Sequence, residues 1–214
     1  MKYKLVYVDE DDGWLNTFYQ TFKGDFDILR IKADSTTTLD GIVNTIFENE
    51  VDGLVTDYLL DETGEVDFNG NNIVDAVRSY KPYFPAIMLT SYEPQAISQT
   101  EDVNIINGKD ILDGENKERL EILRIKIKSN IDRYYSLIQN TESRIEELVE
   151  KRNNNELEPF EEEELTKLFI LFDELEPEGK DMPANLIKDE AITKLNEFVS
   201  QTREILDELK KTKE

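Results

Sequence analysis

The chain has 214 residues, of which 38% are hydrophobic and 34% charged, and its formal net charge is −23. A charge of this sign disfavours nucleic acids and anionic membrane surfaces as partners, because both are bound through basic surfaces. The sequence contains neither cysteine nor histidine, which excludes disulfide bonds, thiolate metal sites and every mechanism that uses an imidazole.

The N-terminal half of the chain alternates short apolar runs with amphipathic segments. Acidic residues follow its first apolar run by position 9, so the run is too short to be the apolar core of a signal peptide. We therefore expect a cytoplasmic protein. Helical spacing between the runs predicts a doubly wound α/β fold, with a five-stranded parallel sheet covered on both faces. The predicted strands are Lys4–Val8, Asp27–Ile31, Gly53–Asp57, Ala86–Thr90 and Val103–Ile106.

Residues 115–214 carry a different pattern, in which apolar residues recur three or four positions apart, as in a long helix or a coiled coil. Helices are predicted to begin near Glu115, at Pro159 and at Leu186. They suit an all-α hairpin or small bundle that follows a sheet domain of residues 1–114. The lack of histidine excludes a phosphotransfer bundle, and the lack of a basic helix disfavours DNA binding. We therefore expect a helical interaction module.

Polar residues follow the predicted strands. The first strand leads into Asp9 and Glu10, the third ends at Asp57, the fourth ends at Thr90, and Lys109 follows the fifth. Because the carboxyl ends of parallel strands lie at one edge of a sheet, these side chains should converge. Two carboxylates about 4 Å apart repel by about 4 kcal/mol at an effective dielectric near 20, and Mg²⁺ relieves that repulsion. A metal-held carboxylate beside a lysine and a hydroxyl suits phosphoryl transfer.

The strand-end residues resemble the ordered signature of receiver domains, the phosphorylated domains of two-component response regulators. The resemblance covers residues 1–114. It rests on Val8-Asp9-Glu10-Asp11, Asp57, Ile87-Met88-Leu89-Thr90-Ser91 and Lys109. It implies a flavodoxin-like fold and a signalling protein, not an enzyme that turns over a separate substrate.

The resemblance also implies a role for each residue of the site. Asp57 would accept a phosphoryl group from a histidine kinase or a phosphotransfer protein. Thr90 and Lys109 would bind the phosphoryl oxygens. Mg²⁺ would be held by four residues, which are Asp9, largely through water, Glu10, Asp57 and Leu59 through its backbone carbonyl.

The sequence departs from the receiver pattern at four places. Glu10 stands where aspartate is commoner, and the loop between Asp57 and Gly70 is lengthened by acidic residues. Asp110 stands where the family has a proline, and Ile106 stands where it often has an aromatic residue that moves on switching. These departures affect the usual conformational change that follows phosphorylation more than they affect the phosphorylation chemistry itself.

Two other interpretations of the same residues stay open. One is a degenerate receiver that binds partners without being phosphorylated. The other is a phosphohydrolase resembling the haloacid dehalogenases, in which Asp9 and Asp11 would form the Asp-x-Asp motif. Asp11 or Asp12 would otherwise cap the following helix, which is a common role for an acidic residue after a strand.

For the output, we expect phosphorylation to change homodimerisation through the helical region or docking to a protein effector.

Overall fold

The computed structural model of the chain describes residues 2–154 and 156–177. At its centre lies a parallel sheet with the strand order β2-β1-β3-β4-β5, which is the flavodoxin-like doubly wound order. The strands are β1 (Lys4–Asp9), β2 (Asp27–Lys32), β3 (Gly53–Asp57), β4 (Ala86–Thr90) and β5 (Ile106–Gly108). The predicted fold class is therefore confirmed.

Helices cover both faces of the sheet. They are α1 (Asp12–Phe22), α2 (Leu39–Glu48), α3 (Gly70–Tyr80), α4 (Glu93–Gln99), α5 (Lys117–Asn153) and α6 (Pro159–Leu175). Successive side chains of a strand point to opposite faces, so Val6 and Val8 of β1 pack with α2 and α3, whereas Leu5 and Tyr7 pack with α1 and α5. The short helix α4, which buries only Ala96, was not among the predicted helices.

The fifth strand lies further along the chain than predicted. Residues Val103–Ile105 form a 3-10 turn, because the side chain of Asp102 accepts a hydrogen bond from the backbone N–H of Asn104 and caps that turn. The strand begins at Ile106, which pairs with Met88 of β4. The prediction of a strand over Val103–Ile106 was therefore wrong except at its last residue. The shift also places Lys109 directly after the last residue of β5.

Helix α5 belongs to two cores. It begins at Lys117, two residues after the predicted start, where the side chain of Asn116 accepts the N–H of Arg119. Its 37 residues span about 55 Å at 1.5 Å per residue. The first half packs on the sheet through Leu123, Ile127 and Ile131, and the second half packs on α6. The predicted helices near Glu115 and from Pro159 are confirmed.

The end of α6 is connected through Tyr134 of α5 to the segment before β4. The hydroxyl of Tyr134 on α5 donates a 2.7 Å hydrogen bond to the carbonyl oxygen of Leu175, and both residues are buried. Phe84, just before β4, packs edge-on against the ring of Tyr134.

The predicted third helix, from Leu186 to Leu209, lies outside the described residues. None of the helices in the described ranges combines the length and apolar character that crossing a bilayer requires.

Candidate functional site

The strand-end residues predicted from the sequence come together at the carboxyl edge of the sheet. Asp9 ends β1, Asp57 ends β3 and Thr90 ends β4, and Lys109 follows β5; each of the four is at most 5% exposed. Carboxylate oxygens of Asp9, Glu10 and Asp57 all lie within 4.8 Å of one another. The parallel sheet therefore produces the cluster that the strand pattern predicts.

Lys109 joins two of the carboxylates. Its Nζ atom lies 2.5 Å from Oδ2 of Asp57 and 2.8 Å from Oδ2 of Asp9. Burial by itself lowers the pKa of Lys109, but the charges of Asp57 and Asp9 outweigh burial, and the pKa is raised above its ordinary value. Lys109 therefore stays protonated and supplies one positive charge inside the acidic cluster.

Asp57 is held at both of its oxygens. Oδ1 accepts a 2.6 Å hydrogen bond from the backbone N–H of Tyr58, and Oδ2 accepts one from Lys109. Burial raises the pKa of Asp57, and Lys109 offsets part of that rise. The carboxylate is therefore oriented, nearly excluded from water and paired with a cation.

Asp9 is engaged by three donors. Its Oδ2 accepts hydrogen bonds from the hydroxyl of Tyr7 and from Lys109, and its Oδ1 accepts one from the backbone N–H of Asp11 at 3.0 Å. Asp9 therefore anchors Lys109. Sequence reasoning missed Tyr7, although Tyr7 lies two residues before Asp9, on the same face of the strand. The hydroxyl of a buried tyrosine usually has a hydrogen-bond partner, and Asp9 is the polar residue two positions further along the same face.

Glu10 has the chemistry of a cation ligand. Its Oε2 atom is buried and has no hydrogen-bond partner among the described residues. Burial raises the pKa of Glu10 to about 7; a backbone hydrogen bond opposes the rise, and the charges of Asp9 and Asp57 add to it. An unpartnered carboxylate oxygen beside two further carboxylates fits a hard divalent cation such as Mg²⁺. The position of the Leu59 carbonyl as a further ligand stays a prediction.

Thr90 is the last residue of β4 and is buried at the same edge of the sheet. Its Oγ1 atom accepts a 2.9 Å hydrogen bond from the backbone N–H of Tyr92, the residue that caps α4. The hydroxyl of Thr90 still has its own proton to donate. The Thr90 side chain is therefore linked to the start of the next helix.

The other acidic residues near β1 have structural roles. Oδ1 of Asp11 accepts the N–H of Trp14 at 3.0 Å, so Asp11 is the N-cap of α1 and the capping interpretation is confirmed for it. Asp12 forms an exposed ion pair with Lys32 at 2.5 Å. Neither residue is a member of the group of three carboxylates that lie within metal-binding distance of one another.

The lengthened loop after β3 is held at its base. The side chain of Asn69 accepts the N–H groups of Leu60 at 2.9 Å and Asp61 at 3.2 Å. Val66 and Phe68 are buried in the core. The inserted acids are all exposed, and they are Asp61, Glu62, Glu65 and Asp67. The loop therefore has an ordered base, and its acidic side chains face solvent.

No protein-family model matches this sequence, and no curated protein matches it either. Among solved structures, the chain is similar to a response regulator receiver domain protein from Clostridium thermocellum, with 18% identity and a TM-score of 0.47 over 63% of this chain and 98% of that one. The receiver domain of the stress response regulator RcsB from Escherichia coli is 18% identical, with a TM-score of 0.45 over 60% and 95% of the two chains. An adenylate cyclase from Rhodopirellula baltica is 16% identical, with a TM-score of 0.48 over 67% and 96%. A similarity at this level of sequence identity bears on the fold alone, and the strand order of the sheet already defines the fold of this chain.

Proposed function

We propose that the chain is a response regulator that is phosphorylated on Asp57 and signals through protein contacts of its helical region. The observation that carries this proposal is the contact of the Lys109 ammonium with Asp57 and Asp9, beside the unpartnered oxygen of Glu10. This arrangement combines a buried acceptor, a fixed cation and a free ligand atom at one edge of the sheet. A buried carboxylate oxygen without a hydrogen-bond partner is uncommon in folded proteins, and a bound cation would supply the missing partner.

Asp57 acts as the nucleophile in this proposal. An Asp57 oxygen forms a bond to phosphorus while the bond from phosphorus to the imidazole nitrogen of a partner's phosphohistidine breaks, and that nitrogen keeps the electron pair. The N–H of Tyr58 orients the carboxylate, and Lys109 moves onto a phosphoryl oxygen. Glu10, Asp57, the Leu59 carbonyl and, largely through water, Asp9 would hold Mg²⁺, which would add further charge neutralisation when bound.

Thr90 offers a route from the site to the rest of the molecule. If the Thr90 side chain turns so that its hydroxyl donates to a phosphoryl oxygen, the Oγ1 atom that accepts the N–H of Tyr92 shifts with it. Because Tyr92 is the cap residue of α4, this shift moves the start of that helix. Phosphorylation also adds up to two negative charges to an acidic edge, and this change is the driving force for the movement.

The division into a receiver domain of residues 1–114 and a helical module of residues 115–214 is part of the proposal. Helix α5 supports a rigid connection between the two, since its first half lies in the core of the sheet and its second half packs on α6. The partners on the input side are a histidine kinase or a phosphotransfer protein. On the output side, the helical region forms a homodimer or binds a protein effector.

The direct test is labelling with a small phosphodonor, such as acetyl phosphate, in the presence of Mg²⁺. The intact protein should gain one acid-labile phosphate, observed by mass spectrometry, and Asp57→Asn should gain none. Asp67→Asn is the matched control, because Asp67 is an exposed aspartate of the following loop, and it should be labelled like the wild type. Equal labelling of Asp57→Asn and wild type would show that Asp57 is not the acceptor.

The same experiment separates the two alternatives. Turnover of a phosphate ester that requires Asp9 but not Asp57 would indicate a phosphohydrolase; one oxygen of Asp11, the second aspartate of that enzyme, is engaged in capping α1. A protein that neither accepts phosphate nor binds Mg²⁺ would be a degenerate receiver. Light scattering before and after labelling tests the output, and an unchanged mass would exclude self-association as the response.

A further inference from the structure

Trp14 contacts the site, although the proposed chemistry assigns no role to it. Its half-buried ring lies at the start of α1, and the Nζ atom of Lys109 is 5.1 Å from the ring centroid. An ammonium group within about 6 Å of an indole ring centroid is attracted by the negative face of the ring. Lys109 is only 3% exposed, and exclusion of water strengthens such an attraction.

The position of Trp14 is tied to the acidic cluster through one residue. Asp11 donates its backbone N–H to Oδ1 of Asp9 and accepts the N–H of Trp14 with its own Oδ1, both at 3.0 Å. The capping interaction that starts α1 therefore also fixes the backbone from which the indole ring extends. The Asp9 carboxylate that anchors Lys109 is therefore linked, through Asp11, to the backbone of Trp14.

An ammonium group has three N–H donors. Two of them are matched by the oxygens of Asp57 and Asp9, and the face of the Trp14 ring, 5.1 Å from Nζ, is a further neighbour of the charge. We propose that Trp14 is a positioning residue that holds Lys109 against Asp57 and keeps water from the lysine side of the site. The role in the phosphorylated state rests on the proposed function: the ring would keep Lys109 on the phosphoryl group and slow its hydrolysis.

The contact can be tested without any phosphorylation, because Trp14 is the one tryptophan of the chain. With selective tryptophan excitation, Lys109→Met should change the emission spectrum of the full-length protein. Lys23→Met is the matched control, because Lys23 lies 5.9 Å from the ring centroid of Tyr19 near the other end of α1. Its spectrum should be that of the wild type. Superimposable spectra for Lys109→Met and wild type would overturn the proposal.

The positioning role is tested with Trp14→Phe and Trp14→Leu. Competitive acetylation with a limiting reagent, quantified for each lysine by mass spectrometry, should show Lys109 protected in the wild type and in Trp14→Phe. In Trp14→Leu, Lys109 should react at least about threefold faster, which corresponds to the loss of a weak cation–π contact. Equal reactivity of Lys109 in all three proteins would overturn the role, whether or not Asp57 accepts phosphate.

The last measurement is the rate at which labelled protein loses phosphate. Trp14→Leu should lose it at least about threefold faster than wild type, and Trp14→Phe should behave like wild type. If Lys109 becomes reactive in Trp14→Leu while the rate of phosphate loss is unchanged, shielding of the phosphoryl group is wrong. If the wild type accepts no phosphate, the proposed function fails, and the emission and acetylation results decide the role of Trp14 by themselves.

Discussion

A methyl group on Gly70 would lie 1.9 Å from the backbone carbonyl oxygen of Asp57, because α3 begins directly against the end of β3. The two segments are also joined by the hydrogen bond from the N–H of Gly70 to the carbonyl of Tyr58, at 2.8 Å. Gly70→Ala must therefore displace the backbone of the proposed acceptor. We expect the free energy of unfolding in urea to fall by about 2 kcal/mol or more, with weaker Mg²⁺ binding.

Gly24→Ala is the control for this substitution. Gly24 lies in the turn after α1, and an added methyl group there would meet no atom within 4 Å. The stability of Gly24→Ala should stay within about 0.5 kcal/mol of wild type, as for most surface substitutions. If Gly70→Ala is as stable as Gly24→Ala, the close approach of α3 to Asp57 does not constrain the site.

Binding of Mg²⁺ should depend on pH through Glu10. The pKa of Glu10 without a cation is about 7, raised chiefly by burial, and a cation can bind only the ionised carboxylate. The affinity for Mg²⁺, measured by titration calorimetry, should fall by up to about tenfold for each pH unit below 7 and level off above it. Glu10→Gln should bind Mg²⁺ weakly and lose this dependence.

The exposed residue Glu65 provides the comparison for Glu10. Glu65→Gln removes one charge from the loop after β3 and should keep both the affinity and the pH dependence of the wild type. An equal affinity of the wild type at pH 6 and pH 8, together with an unchanged affinity in Glu10→Gln, would mean that Glu10 is not a ligand of the cation.

Tyr7→Phe should destabilise the protein although it preserves the aromatic core. The substitution removes the hydroxyl that donates to Asp9 but keeps the ring, which stacks on Phe18 at a centroid distance of 4.2 Å. Loss of a buried hydrogen bond to a charged group costs about 1.5–3 kcal/mol, measurable by urea denaturation. Tyr80→Phe is the control, since Tyr80 is 62% exposed. Equal stability of the two variants would contradict the anchoring role of Tyr7.

The first half of α5 should be essential for the stability of the sheet domain. Ile131 is 1% exposed, and its Cδ1 atom lies 3.2 Å from the position that a Cβ atom of Gly53 would take. Ile131→Ala should lower the free energy of unfolding by about 2–4 kcal/mol. Ile125→Ala, on the same helix but with a side chain that is 56% exposed, should change it by less than about 1 kcal/mol. Similar effects would mean that α5 is not part of the core in solution.

The sequence alone determined the class of fold and the membership of the carboxylate cluster. Strands and helices have different hydrophobic periods, so their alternation is visible in the order of residues. A parallel sheet brings the carboxyl ends of its strands to one edge, so the convergence of Asp9, Glu10, Asp57 and Lys109 was predicted without coordinates. These properties depend on local pattern and on one rule of topology.

Only the tertiary structure decided which contacts each of these residues makes. The hydroxyl of Tyr7 meets Asp9, and the ring of Trp14 meets Lys109, 95 positions away in the sequence (109 − 14). The start of β5 at Ile106 and the division of α5 between two cores likewise became visible only in three dimensions. Such features depend on the packing of side chains from distant segments, and local periodicity carries no information about that packing.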